Sequence, residues 1–250
     1  MTVRECAVFF RAGSEDLFGI LAEPPSPKTP DLAVVILGEG VPAGMRGQNA
    51  VLARLARAVA HAGYASFRFD YHGVGESTGM APHVRRDMPF LDDLDAALAW
   101  LRTQGHRRFL IVGSCFGAQT ALLAVPDRPE IISGVALLSC LVAAEGVSSP
   151  SPSVVRALTA AGDRGVAVLF CYGRDDPLYD EFEAAGPLGL AAGLGASSVE
   201  VELLDGRLHS FVDVDLQEPA IATVVAWVKR IAATLPAPAP GPPLGTWTSV

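Results

Sequence analysis

The sequence predicts an α/β fold in which helices flank a mostly parallel sheet. Short apolar runs alternate along the chain with longer segments whose apolar residues recur at helical spacing. Strands joined by crossover helices produce this alternation, and strands buried on both faces are apolar throughout. A chain of 250 residues, half of them apolar, is long enough to build one such domain around a large core.

The apolar pattern predicts eight strands. In chain order they cover 6–10, 17–22, 33–37, 64–69, 109–112, 135–139, 166–171 and 199–204. The first two lie close together in sequence, which indicates an N-terminal hairpin. The last begins with alternating Val and Glu, a pattern typical of a strand at the edge of a sheet.

Helical spacing predicts the segments between these strands. They cover 49–62, 88–103, 117–125, 181–194 and 219–235. In the first, Leu52 and Leu55 begin an apolar stripe, and Gly63 fits the C-cap position. In the second, leucines at 91, 94, 98 and 101 share one side of the helix. The segment 181–194 is interrupted by glycines, and its helix is therefore the weakest of the five.

The domain organisation follows from where these elements end. Residues 1–235 form a single domain without internal repeats, and 236–250 are rich in proline and alanine. Proline at this density packs neither as helix nor as sheet, so we expect 236–250 to be a flexible tail.

Charge and composition exclude several kinds of partner. A net charge of −8 disfavours nucleic acid, which needs a basic surface. No apolar run is long enough to span a membrane, and the N-terminus lacks the apolar core of a signal peptide, so we expect a cytoplasmic protein. The four cysteines, Cys6, Cys115, Cys140 and Cys171, form no CxxC pair. We therefore expect no metal site and no cofactor.

The most informative motif is Gly113-Ser114-Cys115-Phe116-Gly117. It follows an apolar strand and precedes a helix, and a reactive residue stands between two glycines. A turn this tight needs small flanking residues and exposes the central side chain above the sheet. Cys115 is thus the candidate nucleophile. Ser114 lies beside the apex of the turn and cannot easily replace it.

A second glycine-rich turn follows the strand 64–69, with the sequence Asp70-Tyr71-His72-Gly73-Val74-Gly75-Glu76-Ser77. Its glycines permit the turn, and we expect Asp70 and Ser77 to hold it together.

These motifs resemble the α/β-hydrolase superfamily over residues 5–235. A Gly-x-Cys-x-Gly turn is similar to that of dienelactone hydrolases. The stretch 46–77 looks more like the hydrolases associated with exosortase systems and actinobacterial biosynthetic clusters. The resemblance implies an eight-stranded α/β-hydrolase fold and a catalytic triad, and it leaves the substrate open.

The resemblance also implies the order nucleophile, acid, histidine. The loop after strand 166–171 contains Asp175 and Asp176, and the Gly-x-x-Asp-Pro pattern favours Asp176. The loop after strand 199–204 resembles the family's Gly-x-x-His-x-Phe pattern and supplies His209 as the base. The other four histidines lie on a helix (His61), in the turn after the fourth strand (His72) or in polar connections (His83 and His106).

An oxyanion formed during acyl transfer needs two backbone donors. The resemblance implies the N–H of Phe116 as one of them. The second would come from the glycine-rich loop 38–44, where Glu39, Gly40 and Val41 are candidates. Glu39 is either a carboxylate lining the site or an exposed loop acid.

Many members of the superfamily insert a helical lid after the sixth strand. Here only 141–165 intervenes and 145–152 looks like a loop, so we expect a short or absent lid and a site open on one side. Such a site suits a small hydrophilic substrate or one presented on a carrier protein.

Three hypotheses about function remain open at this point. The first is hydrolysis of an ester, lactone or thioester through an acyl-cysteine. The second is a lyase or cyclase reaction in natural-product biosynthesis, such as acetate elimination in a tetronate pathway. The third is an inactive fold that serves as a binding module. The oligomeric state stays undetermined.

Overall fold

The computed structural model describes residues 2–40, 44–81, 89–128, 130–143, 149–186 and 199–236. Within them one sheet contains eight strands in the order β1-β2-β4-β3-β5-β6-β7-β8. The strands are β1 Arg4–Ala12, β2 Glu15–Glu23, β3 Leu32–Leu37, β4 Ala65–Phe69, β5 Arg108–Ser114, β6 Ile132–Leu138, β7 Ala167–Gly173 and β8 Val199–Leu204.

The sheet is antiparallel at one end and parallel elsewhere. β1 pairs with β2 as a hairpin, and β2 pairs antiparallel with β4. All pairings from β4 through β3, β5, β6 and β7 to β8 are parallel. The carboxyl ends of six strands, β3 to β8, therefore lie along one edge of the sheet. Ligands of open α/β sheets bind outside this edge. The predicted hairpin, the edge position of β8 and the mostly parallel sheet are all confirmed.

Helices cover both faces of the sheet. They are α1 Val51–His61, α2 Leu91–Thr103, α3 Phe116–Ala124, α4 Pro152–Arg164, α5 Pro177–Ala185 and α6 Gln217–Thr234. One buried cluster joins the inner sides of α2, α3 and α4 to one face of the central strands, and a second joins α1 and α6 to the other face. The strands between these clusters are buried on both sides, which explains their continuous apolar sequence.

Several predicted helix boundaries are wrong. α1 begins at Val51 and not at 49, because Asn49 and Ala50 adopt left-handed backbone angles that end the preceding turn. α2 begins at Leu91, after Pro89, and the predicted start at 88 lies outside the described residues. α5 begins at Pro177, four residues before the predicted start at 181, and ends at Ala185; the predicted continuation through 187–194 lies outside the described residues.

The helix α4 fills most of the segment in which the sequence predicted only a short or absent lid. Ser151 caps it by accepting a hydrogen bond from the Val154 N–H at 3.3 Å, and Pro152 occupies its first turn. Its buried side packs with the cluster that contains α3. α4 therefore flanks the sheet, and the described part of this connection contains no lid helix.

Two further expectations concern single segments. His106 stands in the predicted connection before β5, but its side chain is buried and not solvated. The predicted tail lies outside the described residues from 237 onward. Across the part of the chain that the structure describes, every helix is too short or too polar to cross a lipid bilayer.

Candidate active site

Cys115 lies at a strained turn between β5 and α3. Its backbone angles are φ 51° and ψ −112°, which a residue with a side chain rarely adopts. A Cβ at Gly113 would overlap the Gly117 carbonyl, and a Cβ at Gly117 would overlap the main chain of Gly38. Both glycines are thus required by close packing, as the motif predicted. The turn leaves the Cys115 thiol half-buried at the carboxyl edge of the sheet.

His209 lies in a short turn after β8 and faces this thiol. Its Nε2 is 3.3 Å from the Cys115 Sγ. Leu208 and Phe211 on either side are buried in the core, so they anchor the turn and aim the imidazole. Ser210 and Phe211 have φ angles of 54° and 52°, so left-handed backbone follows the histidine directly.

Asp176 connects the end of β7 to this histidine. It is 1% exposed and precedes α5 at the N-cap position, yet its side chain makes no capping hydrogen bond. Its Oδ2 instead accepts the backbone N–H of His209 at 2.7 Å. Its Oδ1 is buried and has no hydrogen-bond partner among the described residues. The second predicted aspartate, Asp175, is exposed, and its backbone N–H donates to the Gly206 carbonyl.

Ser139 is a residue of this site that the sequence motifs do not reveal. It directly follows β6 and is 1% exposed, and its hydroxyl donates a 2.8 Å hydrogen bond to Asp176 Oδ2. Its φ of 48° puts it in the left-handed region as well. The only sequence signal is a polar residue at the end of a buried strand. Left-handed, non-glycine residues therefore follow β5, β6 and β8, where backbone strain often marks a functional site.

Glu39 and Ser114 contact each other beside Cys115. Glu39 is partly buried, so the expectation of an exposed loop acid is wrong. The Ser114 hydroxyl donates to Glu39 Oε1 at 3.2 Å and is itself 1% exposed. The pair joins the loop after β3 to the end of β5. The Glu39 carboxylate is thus bound to Ser114, the residue that precedes Cys115 in the sequence.

The candidate oxyanion donors fall partly within the described residues. Phe116 is the first residue of α3, where backbone N–H groups have no partner within the helix. Gly40 is buried with a φ of 89° and lies in the same loop as Glu39. Val41 lies outside the described residues.

A second histidine–aspartate pair stands after β4. The Nδ1 of His72 is 2.8 Å from Asp93 Oδ2, and the His72 backbone N–H donates to the same oxygen at 2.9 Å. Asp93 is buried in the first turn of α2. The ring of Phe90 lies between His72 and Phe116, with centroid separations of 5.4 Å and 4.9 Å.

The glycine-rich turn after β4 is held as the sequence predicted. The Ser77 hydroxyl donates to the Asp70 carbonyl at 2.7 Å and accepts from the Phe18 N–H at 2.9 Å. The Asp70 carboxylate accepts the Met45 N–H at 2.6 Å. Burial raises the pKa of this carboxyl, and backbone hydrogen bonds from Met45 and Glu76 oppose the rise. Asp70 thus ties the turn to the loop after β3.

No cluster of three or more metal-binding side chains occurs within the described ranges. Near the candidate nucleophile the sheet edge instead brings together a thiol, an imidazole and a carboxylate, each supplied by the end of a different strand.

Comparison with solved structures identifies this arrangement of strands and helices. The esterase Pf2001 of Pyrococcus furiosus superposes with a TM-score of 0.72 at 17% identity, covering 91% of each chain. The dienelactone hydrolase of Anabaena variabilis gives 0.69 at 18% identity, covering 92% of this chain and 99% of that one. The protein has the α/β-hydrolase fold. At these identities the superpositions establish the fold alone.

Sequence comparison matches part of the chain. A family model described as Hydrolase_4, serine aminopeptidase, S33, matches residues 41–160. RutD of Klebsiella pneumoniae (strain 342), whose name attributes carbamate hydrolysis to it, is 32% identical over 83 residues. That alignment covers 33% of this chain and 30% of RutD. The family description specifies serine, whereas the turn between β5 and α3 of this chain carries Cys115.

Proposed function

We propose that this protein is a hydrolase that cleaves an ester, lactone or thioester through an acyl-cysteine intermediate. The observation that carries the proposal is the 3.3 Å contact between Cys115 Sγ and His209 Nε2 at a strained turn. The contact supports a nucleophile–base pair, and the buried carboxylate of Asp176 accepts the backbone N–H of the same histidine. The hydrolase fold and the names of the matched proteins support the same class of reaction.

In the first step, His209 Nε2 takes the proton of the Cys115 thiol, and the thiolate attacks the carbonyl carbon. The backbone N–H of Phe116, with a second donor from the loop at Gly40, stabilises the oxyanion. Asp176 Oδ1, which is buried and has no hydrogen-bond partner among the described residues, is the acceptor that we assign to the Nδ1–H of the imidazolium. Collapse of the tetrahedral intermediate breaks the bond to the leaving alcohol or thiol, which receives the proton from His209.

In the second step, His209 takes a proton from water, and the resulting hydroxide attacks the acyl-cysteine carbonyl. The bond between carbon and Cys115 Sγ breaks, the thiolate recovers the proton from His209, and a carboxylic acid leaves. A thioester intermediate is more reactive than an oxyester toward thiols and amines. The chemistry therefore suits lactones and thioesters, including acyl groups on a carrier protein, as well as simple esters.

Turnover of two matched substrates tests the proposal. p-Nitrophenyl butyrate and the N-acetylcysteamine thioester of butyrate present the same acyl group on an alcohol and on a thiol. We expect wild type to hydrolyse both, and Cys115→Ala to lose at least about 10³-fold in kcat/KM. Cys6→Ser is the matched control, because Cys6 is a partly buried thiol on β1, far along the sheet from β5.

Two results would contradict the proposal. In the first, Cys115→Ala retains the wild-type rate on both substrates. In the second, isotope-labelled water fails to appear in the released acid although the leaving group is lost, which would favour the elimination reaction of a lyase.

A further inference from the structure

A cavity of about 500 Å³ lies between β2, β4 and α1. This volume is in the range of small-molecule sites. Its described lining includes none of Cys115, His209 and Asp176. The cavity is therefore separate from the thiol and imidazole described above.

One wall of the cavity is formed by one face of the paired strands β2 and β4. Ile20 on β2 lies directly opposite Arg68 on β4, and Phe18 shares the face of Ile20 because side chains alternate along a strand. Across the hairpin, Phe9 pairs with Phe18 and is 60% exposed. The other wall is α1, from which Ala53 and Arg57 line the cavity. The walls thus supply apolar surface on which a hydrocarbon portion of a ligand would pack.

Arg68 is the most buried polar residue in the described lining of this cavity. It is 3% exposed, and its Nε is buried without a hydrogen-bond partner among the described residues. Its Nη2 is 3.4 Å from Glu5 Oε1, but Arg57 approaches the same carboxylate more closely, at 2.7 Å. One carboxylate is therefore shared by two guanidinium groups, and a buried cation needs stronger compensation than a long shared contact provides.

Among the described residues, the acids that line the cavity make no hydrogen bond or ion pair with Arg68. Asp70 already accepts the Met45 N–H and is enclosed by the backbone at Gly44 and Gly75, while Glu76 is exposed. Arg46, also exposed, adds a third guanidinium to the lining. Burial lowers the pKa of Arg68, and the carboxylates of Glu5 and Asp70 oppose that effect. A bound anion would likewise raise the pKa of Arg68 and stabilise its charged form.

We propose that this cavity binds a small organic anion, with a carboxylate or phosphate held by Arg68 and Arg57 and an apolar body packed on Phe18, Ile20 and Ala53. A guanidinium presents paired donors that match either oxyanion, and such bonds are shorter and stronger than neutral ones. The anionic group of the ligand supplies negative charge beside the buried Arg68 guanidinium. Its apolar body covers the side chains of Phe18 and Ile20 on the same face of the sheet.

Calorimetric titration with three eight-carbon probes tests the proposal. Octanoate and octyl phosphate carry the two anionic groups, and octanamide is the neutral control of the same chain length. We expect both anions to bind at least about tenfold more tightly than octanamide. The tighter of the two identifies the headgroup that the arginines prefer.

Variants assign that binding to the cavity. Ala53→Leu fills it without removing a charge, so we expect it to weaken both anions at least about tenfold. Arg68→Met and the more exposed Arg57→Met should reduce the preference for an anion over octanamide. Arg102→Met, which removes an exposed arginine on α2, is the matched control and should bind as wild type does. Circular dichroism and ester hydrolysis establish that each variant is folded.

Three outcomes would overturn the proposal. Either octanamide binds wild type as tightly as the anions do, or none of the probes binds. Unchanged octanoate binding by folded Ala53→Leu would also overturn it, because the anion would then occupy another site, such as that of an acyl product beside Cys115.

Discussion

His209 and His72 each contact a buried aspartate near the carboxyl edge of the sheet, but the contacts differ. Asp93 Oδ2 contacts both the ring Nδ1 and the backbone N–H of His72. Asp176 contacts His209 through its backbone N–H, and the His209 ring faces the Cys115 thiol at 3.3 Å. The first pair fastens a turn to α2, whereas the second leaves an imidazole nitrogen against the Cys115 thiol.

This difference indicates that contact with a buried carboxylate does not by itself place a histidine ring against a thiol. His72 is fixed twice by one oxygen and is 32% exposed in its side chain, so we expect it to hold the turn after β4. His209 is aimed by apolar anchors on both sides and by a strained backbone, which orients the ring toward Cys115. Variants that treat the two pairs alike should therefore have unlike effects.

The largest contrast is expected from removing each imidazole. His209→Ala should lower kcat/KM for p-nitrophenyl butyrate on the order of 10³-fold, because the base for the thiol and for water is lost. His72→Ala should remain within about threefold of wild type, since its ring contacts Asp93 and not the thiol. Steady-state kinetics at one pH measures both. Equal losses in the two variants would break the distinction.

Replacing Asp176 should lower activity, whereas replacing Asp93 should lower stability. Asp176→Asn should lower kcat/KM on the order of 10²-fold, because a neutral amide stabilises the imidazolium poorly. Asp93→Asn should leave the rate near wild type and lower the free energy of unfolding by about 1–3 kcal/mol, because a buried contact to two donors of His72 is weakened. Urea denaturation measures the second effect. A purely catalytic loss in Asp93→Asn would contradict this account.

Ser139 allows a finer test of how Asp176 is held. Ser139→Ala removes the 2.8 Å hydrogen bond to Asp176 and should lower kcat/KM about tenfold. Ser139→Gly removes the same bond but relieves the left-handed backbone, so it should be more stable than Ser139→Ala by about 1 kcal/mol. If the two variants have similar kcat/KM values but different free energies of unfolding, the hydroxyl acts on the rate and the left-handed backbone acts on stability. If both variants turn over as wild type does, Ser139 has no positioning role.

The smallest expected effect concerns a third histidine, His106, which lies away from both pairs. Burial lowers its pKa more than the neighbouring carboxylates Glu23 and Asp31 raise it. The unfolded chain therefore binds a proton more readily, and stability should fall as the pH drops below about 6.5. His106→Gln should show a shallower fall between pH 7 and 5 in urea denaturation. An unchanged slope would show that His106 titrates alike in both states.

Local patterns account for what the sequence could predict. The glycines of the Cys115 turn predict that main-chain atoms approach too closely for a side chain, and the structure confirms this. The continuous apolar runs predict strands that are buried on both faces. Ser151 followed by Pro152 is a typical helix start and begins α4. The serines, prolines and glycine before it favour a loop, so the sequence pattern alone does not predict this helix.

Contacts between distant residues account for what the sequence could not predict. Ser139 reaches Asp176 across 37 positions, and Glu39 reaches Ser114 across 75. Neither contact leaves a periodic pattern, because each depends on which strands are neighbours in the sheet. The same holds for Arg68, whose burial follows from the pairing of β2 with β4.

Intact mass spectrometry after rapid quenching with p-nitrophenyl butyrate tests the central claim most directly. The account predicts one added butyryl group on wild type, mapped to the peptide that contains Cys115, absent from Cys115→Ala and slow to form in His209→Ala. An adduct that maps to Cys6, Cys140 or Cys171, or that forms unchanged in Cys115→Ala, would contradict the assignment of Cys115 as the nucleophile.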